Sequence, residues 1–202
     1  MSNYEQQYYK VFEVPFRETY LHLKASQDTG RRRYSFTKLD SGDGPVFFTN
    51  ADKGEMPFIV SDFLLHGFFP VVSKKIAEMI TPYNINGFQL FPAVLIDDEE
   101  KWHEDFFFFN AYGNLDCIDF DSSEILDYSP EDSRHEVIRY KLRNEVLDAI
   151  PLENRLIVRP SKVAGGGLLI HESIVTKLIK YVDPSAFKFF RLSEYKLGGK
   201  YS

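Results

Sequence analysis

Cysteine is almost absent from this 202-residue chain, which has one thiol, at Cys117. A single cysteine excludes an intrachain disulfide and a cysteine-based metal site. Long apolar runs are also lacking, because the longest, Phe63 to Val72, is interrupted by His66, Gly67 and Pro70 and is too short to cross a bilayer. The polar first ten residues lack the apolar segment of a secretory signal, so the sequence predicts a cytoplasmic protein.

Motifs for catalysis and for cofactors are lacking as well. No pair among the five histidines has the spacing of zinc ligands, and the phosphate-binding glycine patterns are missing. Asp116, Asp119 and Asp121 could ligate a divalent cation, and His103 could join its acidic neighbours, but the glycine and distal glutamate of a calcium loop are missing. A solvated charged loop is favoured for both groups. We predict no catalytic residue, no cofactor and no metal.

Two small motifs each have a chemical and a structural interpretation. Gly165-Gly166-Gly167 precedes a predicted helix, whose start could bind phosphate, but Leu168 to Ile170 intervene and a flexible turn is favoured. Cys117 could be a nucleophile, but Asp116 and Asp119 beside it raise the pKa of a thiol. A buried structural thiol is therefore favoured.

Negative charge is concentrated in one segment of the chain. The whole sequence carries 30 acidic and 24 basic residues, for a net charge of −6. The segment from Asp97 to Asp132 holds thirteen acidic residues and one lysine, so it carries −12 and the rest of the chain +6. Trp102 and Tyr112 are the aromatic residues in it that we expect to be exposed. An acidic surface with aromatic anchors favours a basic protein partner and repels nucleic acid.

The densest part of this segment is the predicted partner-binding site, and the alternative is a solvated loop between two strands. The predicted contact residues are Asp97, Asp98, Glu99, Glu100, Trp102, Glu104 and Asp105.

Aromatic residues dominate the rest of the composition, with 19 phenylalanines and 12 tyrosines, which favour strands. We predict an α+β fold with a mainly antiparallel sheet, whose centre holds Phe88–Ile96, Phe106–Tyr112 and Phe187–Leu192. Gly113-Asn114 is predicted to be a hairpin turn. The other predicted strands are Tyr8–Val14, Tyr34–Leu39, Val46–Thr49, Leu115–Phe120, Val137–Leu142 and Arg155–Arg159. The predicted helices are Lys74–Thr81, capped by the Ser73 hydroxyl, and Glu172–Tyr181.

Two features of the organisation are less clear from the sequence. Residues 133–150 fit both a helix, through the capping box of Ser133 and Glu136, and a strand, through alternation after Val137; we choose the strand. A strand–helix–strand unit occurs twice at a spacing of about 99 residues, which predicts an internal repeat. We predict a strand-rich subdomain at 1–57, a main domain at 58–195 and a flexible tail at 196–202.

Several blocks of the sequence resemble a known bacterial family. They are Ser61-Asp62, Pro70 to Ser73, Gly87 to Val94, Phe109 to Asp119 with Ser122-Ser123, Leu156 to Arg159, the helix after Ile170, and Phe187 to Phe190. Their order resembles an immunity-protein family of bacterial polymorphic toxin systems, a former domain of unknown function named after a Myxococcus protein. The resemblance covers about Pro57 to Leu192.

The resemblance implies a non-enzymatic α+β protein that binds and neutralises a cognate toxin by stoichiometric occlusion. Such toxins pass between competing bacteria, often by contact-dependent or type VI secretion. The family contributes no catalytic residues. An enzyme with a dispersed active site and an oligomeric adaptor or scaffold are the alternatives, favoured by a deep polar pocket and by a self-complementary apolar patch, respectively.

Overall fold

The computed structural model of the protein describes residues 3–14, 22–54, 59–127, 129, 131 and 133–198. Within these residues it contains twelve strands and four α-helices, which form the predicted α+β fold. The strands are β1 (Tyr8–Glu13), β2 (Leu23–Ala25), β3 (Val46–Asn50), β4 (Phe63–His66), β5 (Phe69–Ser73), β6 (Phe88–Ile96), β7 (Trp102–Ala111), β8 (Glu124–Leu126), β9 (Glu136–Arg139), β10 (Ile157–Val158), β11 (Leu169–His171) and β12 (Phe187–Arg191). The helices are α1 (Gln27–Arg31), α2 (Lys74–Ile80), α3 (Asn144–Asp148) and α4 (Glu172–Leu178), and a 3-10 turn, Ile179–Tyr181, extends α4.

Two main sheets build the molecule. A six-stranded sheet has the order β2-β3-β6-β7-β5-β4, and a four-stranded sheet has the order β10-β11-β1-β12. β8 and β9 form a separate pair. All of these pairings are antiparallel except that of β3 with β6. β6 lies inside the larger sheet, as expected for a strand that is apolar on both faces.

One hydrophobic core joins the two sheets and both longer helices. α2 contributes Ile76 and Ile80, and α4 contributes Ile174 and Leu178, all fully buried on one helix face. Both sheets face this core with alternate residues of their strands. The buried strand residues of this central core are Phe63, Leu65, Val72, Phe109 and Ala111 from the larger sheet and Val11, Ile157, Ile170 and Phe187 from the smaller one.

The predicted repeat is visible in the topology. β4, β5, α2 and β6 follow one another in the chain, as do β10, β11, α4 and β12. In space, β7 separates β5 from β6, and β1 separates β11 from β12 in the same way. Because both inserted strands run antiparallel to their neighbours, the strands on either side of each helix are parallel. The two units bury their helices in the one core that lies between them.

One strand predicted for the centre of the sheet is placed differently by the structure. Phe187–Arg191 lies in the smaller sheet beside β1, not in the sheet of β6 and β7. Periodicity reports which face of a strand is apolar but not which strand it pairs with, so the sequence could not separate the two sheets.

Tyr34–Leu39 was predicted to be a strand and is instead an irregular segment over the outer face of the larger sheet. Side chains of the sheet hold its backbone: Asn110 donates to the Thr37 carbonyl at 2.9 Å, and Gln89 accepts from the Leu39 amide at 2.7 Å and donates to its carbonyl at 3.2 Å. The buried Arg159 also donates to this segment, at Ser35. These bonds replace a strand ladder, while the apolar residues cover the sheet.

The predicted strand Leu115–Phe120 and the hairpin turn before it are also wrong. Leu115 and Ile118 make only isolated bridges, to Pro160 and Leu142. The hairpin partner of β7 is β6, and β7 begins four residues before the predicted start, Phe106. Gly113 does not turn the chain into a hairpin but packs against Gly87.

Several local predictions also differ from the structure. The helix α1, which the sequence analysis did not predict, begins where the Ser26 hydroxyl accepts from the Thr29 amide at 3.3 Å. Ser73 stands at the start of α2, but its hydroxyl is buried and makes no capping bond. The ambiguous segment after Ser133 is the strand β9, as chosen, and is followed by the unpredicted α3.

The expected division near residue 57 stays a prediction. Pro57 and its neighbours 55, 56 and 58 lie outside the described residues, as do the tail residues 199–202. Strands from both sides of residue 57 share each main sheet, and the Leu197 amide at the start of the tail donates to the Ile138 carbonyl at 3.0 Å.

Replacing Leu178 by Ala should lower the free energy of unfolding by about 2–5 kcal/mol, because the side chain fills the core between the sheets. Its neighbour Ile179 is 58% exposed and provides the matched control, for which Ile179→Ala should cost less than about 1 kcal/mol. Urea denaturation of both variants measures the difference. Equal losses would show that the shared core is assigned to the wrong helix face.

Gly113→Ala should destabilise the protein because a Cβ at this position would lie 2.7 Å from the Gly87 Cα, closer than real contacts allow. The two backbones are also joined by a hydrogen bond of 2.8 Å from the Gly113 amide to the Gly87 carbonyl. Gly30→Ala in α1 is the control, since nothing lies within 4 Å of its added methyl group. Thermal melts should show a lower midpoint for the first variant only.

Candidate partner-binding surface

The predicted contact residues lie where β6 turns into β7. Residues 97–105, which we name the acidic turn, comprise the turn itself and the first four residues of β7. The Asp97 amide donates to the Lys101 carbonyl at 3.0 Å, which closes the turn. Glu100 has a φ of 63°, the left-handed conformation that such a tight reversal requires. The acidic turn is therefore an ordered hairpin end and not an extended loop.

Asp97 organises this hairpin. One carboxylate oxygen accepts from the amides of Glu99 at 3.0 Å and Lys101 at 2.9 Å, and the other lies 2.9 Å from the His103 Nε2. The hydrogen bond from His103, with smaller contributions from the two amides, lowers the pKa of Asp97 below its usual value. The carboxylate of Asp97 is therefore engaged in hydrogen bonds within the protein.

The carboxylate of Asp98 is also engaged in hydrogen bonds within the protein. Its carboxylate accepts from the side-chain amide of the buried Asn50 at 3.3 Å and from the Gly54 amide at 3.1 Å. These bonds tie the turn to the end of β3. Neither Asp97 nor Asp98 is thus available to a partner without a cost to the fold, which their sequence positions did not reveal.

The other four carboxylates of the acidic turn are exposed. Glu100 pairs with Lys53 at 2.8 Å, and Asp105 lies 3.9 Å from Lys74 of α2. Such surface pairs are screened by water and salt, contribute little to stability and are readily exchanged for a partner's charges. Glu99 and Glu104 make no ion pair among the described residues.

Trp102 projects from the acidic turn. Its side chain is 56% exposed, and its ring packs edge-on against Phe47 at a centroid distance of 5.4 Å. The extra residue of a bulge follows on β7, where Asp105 has a φ of 63°. Beyond the bulge, the phenylalanines turn inward, as predicted for sheet core. Tyr112, the other expected anchor, is only partly exposed.

The acidic segment of the sequence forms two separate regions in space. β7 has ten residues and so spans about 30 Å. The acidic turn lies before one end of this strand, and the second acidic region, residues 116–127, follows its other end. The charges predicted to act as one band are therefore divided between distant surfaces. Tyr128 and Asp132 of this segment lie outside the described residues.

The second acidic region contains the carboxylates that we considered as metal ligands. Arg143 pairs with Asp116 at 3.2 Å and with Glu145 at 3.0 Å, and these residues border a cavity of about 390 Å³ together with Asp119 and Asp121. Across the part of the chain that the structure describes, no three histidine, cysteine or acidic side chains converge as a metal site would require.

Cys117 lies between these acids but points into the protein. It is fully buried, as predicted. Burial, with a smaller contribution from the charge of Asp116, raises the pKa of the thiol to about 12. The thiol is therefore protonated at neutral pH and is a poor nucleophile.

Two buried arginines border a cavity of about 200 Å³ at the far end of β7, and sequence reasoning missed both. Arg155 donates to the hydroxyls of Tyr8 and Tyr4 at 3.0 and 3.2 Å, and Tyr4 in turn donates to Asp148 at 2.5 Å. Arg159 bonds to the carbonyls of Ser35 and Ala111. These guanidinium groups hold chain segments together through neutral acceptors. A single arginine in a sequence forms no pattern from which such a buried, structural role could be predicted.

A comparison with known protein families identifies the class of this protein. A family model described as an immunity protein family, Imm11, matches residues 10–149. The chain therefore belongs to the Imm11 immunity protein family. Comparison with curated proteins gave no match. None of the helices in the described ranges has the length and apolar character needed to cross a membrane.

Replacing Asp97 by Ala should lower the melting temperature, because three hydrogen bonds of the hairpin end would lose their acceptor. Glu99→Ala removes the same charge from an exposed neighbour and should leave the melting temperature unchanged. Differential scanning calorimetry of the two variants separates the effects. Equal melting temperatures would mean that Asp97 does not organise the turn.

Proposed function

We propose that this protein neutralises a cognate antibacterial toxin by binding it stoichiometrically in the cytoplasm of the producing cell. Membership of the immunity family supports this role. The toxin would be the variable end of a polymorphic toxin delivered between bacteria, for example by type VI or another contact-dependent secretion system. The protein itself performs no catalysis in this proposal, and binding alone blocks the toxin.

The acidic turn is the proposed contact surface. The observation that carries this assignment is the exposure of Trp102 on a hydrogen-bonded hairpin, between the unpaired carboxylates Glu99 and Glu104. A large aromatic ring on a rigid base loses little conformational entropy on binding and is typical of interface hot spots. The surrounding carboxylates favour a basic toxin surface.

The two parts of this surface have separable kinetic roles. Exposed charges act at a distance of about 8–10 Å at physiological salt and chiefly set the association rate. The contacts of a tryptophan that is buried in the complex are broken only on dissociation, so this residue chiefly sets the dissociation rate. Because Asp97 and Asp98 stabilise the turn, reversing their charges would also disturb the fold. The charge-reversal test is therefore made at Glu99 and Glu104.

The double variant Glu99→Lys/Glu104→Lys should slow toxin association and weaken its salt dependence. Trp102→Ala should instead accelerate dissociation by about tenfold or more. The matched control is Asp121→Lys/Glu131→Lys, which makes the same charge change on exposed residues outside the acidic turn and should leave both rates unchanged. Stopped-flow mixing with the cognate toxin domain, at low and high salt, measures both rates.

Co-expression tests the role itself. Cells that produce the toxin domain should survive with the wild-type protein, and a complex of fixed stoichiometry should co-purify. Death of the cells together with failure to form a complex would contradict immunity. If the control variant lost association and the Glu99/Glu104 variant did not, the contact surface would lie elsewhere although the role would stand.

A further inference from the structure

Lys10 of β1 is buried in a cluster of aromatic rings. The residue is 6% exposed, and its ammonium nitrogen donates to the Tyr140 hydroxyl at 2.8 Å. The same nitrogen lies 5.3, 5.0 and 5.2 Å from the ring centroids of Phe12, Tyr140 and Tyr195. Cation–π contacts of this kind partly replace water around the ammonium group.

Within the described part of the chain, the charge of Lys10 has no counter-ion. No salt bridge joins it to a carboxylate among the described residues, and burial lowers its pKa to about 8. A buried ammonium without an acidic partner is destabilised relative to water. An anion placed next to it would supply the missing charge, and two of the three ammonium protons remain for this purpose once Tyr140 has accepted one.

A cavity of about 240 Å³ adjoins this ammonium group, whereas a single buried water needs only about 10–15 Å³. Four aromatic side chains, Phe12, Phe68, Tyr140 and Tyr195, line it, and Gly165 and Gly166 form part of its rim. The ammonium group of Lys10 and the carboxylate of Glu136 also border the cavity.

Gly165-Gly166-Gly167, which the sequence predicted to be a flexible turn, borders the same cavity with its first two residues. Gly165, Gly166 and Gly167 have φ values of 71°, 66° and 96°. Successive amides in such left-handed turns form concave anion-binding sites, and those of Gly165 and Gly166 have no acceptor among the described residues. A Cβ on Gly167 would lie 3.5 Å from the Lys10 Cε, so the lysine packs directly against this turn.

We propose that this cavity binds a small aromatic carboxylate. Its carboxylate would accept from the Lys10 ammonium and the glycine amides, while its ring would pack against Phe12 and Phe68. One buried cation matches one negative charge, whereas a phosphate dianion would bring a second charge into an apolar cavity and is disfavoured. The site goes beyond the proposed immunity role and does not use the acidic turn.

Benzoate is the probe, and its binding to the full chain is measured by isothermal titration calorimetry at pH 7. Wild type should bind it, and Lys10→Met, which keeps the unbranched stem and removes the ammonium, should bind at least about tenfold more weakly. Glu136→Gln removes from the rim a negative charge that repels benzoate, so this variant should bind benzoate at least as tightly as wild type. Circular dichroism verifies that both variants are folded.

Benzyl alcohol and inorganic phosphate separate the two parts of the recognition. Each should bind more weakly than benzoate, because one lacks the charge and the other lacks the ring. No binding of benzoate to wild type, or equal binding to folded Lys10→Met, would overturn the site. Tighter binding of phosphate than of benzoate would overturn the assignment of an aromatic carboxylate. None of these experiments involves the toxin, so they can fail without affecting the proposed immunity role.

Proton linkage provides an independent check on Lys10. Binding favours the charged ammonium, so benzoate affinity should fall as pH rises from 7 to 9 through the pKa near 8. The other titratable groups that face the ammonium are Tyr140, Tyr195 and the rim carboxylate Glu136. Burial raises the pKa of Tyr140 above its usual value. The raised pKa of Tyr140 keeps its hydroxyl neutral across this range. An affinity independent of pH between 7 and 9 would contradict contact with Lys10.

Discussion

The hydrophobic core between the two sheets is the constraint on which the rest of this structure depends. Both strand–helix–strand units bury their helices there, and neither sheet could cover its inner face without the other. Two smaller cores cover the outer faces, one beneath the irregular segment at 34–39 and one beneath α3 and the β8–β9 pair. Because β7 is an interior strand of the larger sheet, the full length of the strand holds its two ends apart.

This separation determines how the acidic residues can act. Six carboxylates gather at one end of β7, but Asp97 and Asp98 stabilise the hairpin, and Glu100 and Asp105 face lysines. In the proposed interface, Glu99 and Glu104 therefore remain to contact the toxin, beside Trp102. The surface is therefore better described as an aromatic anchor with modest charge guidance than as a highly charged patch. An interface of this kind would derive specificity from shape around Trp102.

Local patterns in the sequence predicted much of the fold. The apolar spacing of α2 and α4, the two-faced apolar character of β6 and the repeat of a strand–helix–strand unit all appear in the structure, since each depends on neighbours in the chain. Pairing between distant segments was not predictable. Phe187–Arg191 joined the other sheet, and Tyr34–Leu39 became a cover held by Asn110 and Gln89, because these outcomes depend on contacts far apart in sequence. Within the proposed site, Trp102 was recognisable by its acidic context, whereas the internal roles of Asp97 and Asp98 required coordinates.

Hydrogen–deuterium exchange of the protein, alone and bound to its cognate toxin domain, tests the central claim most directly. The account predicts that binding slows exchange chiefly at residues 97–105 and leaves residues 116–127, at the other end of β7, unchanged. Protection at 116–127 without protection at 97–105 would contradict the assignment of the acidic turn as the toxin-binding surface.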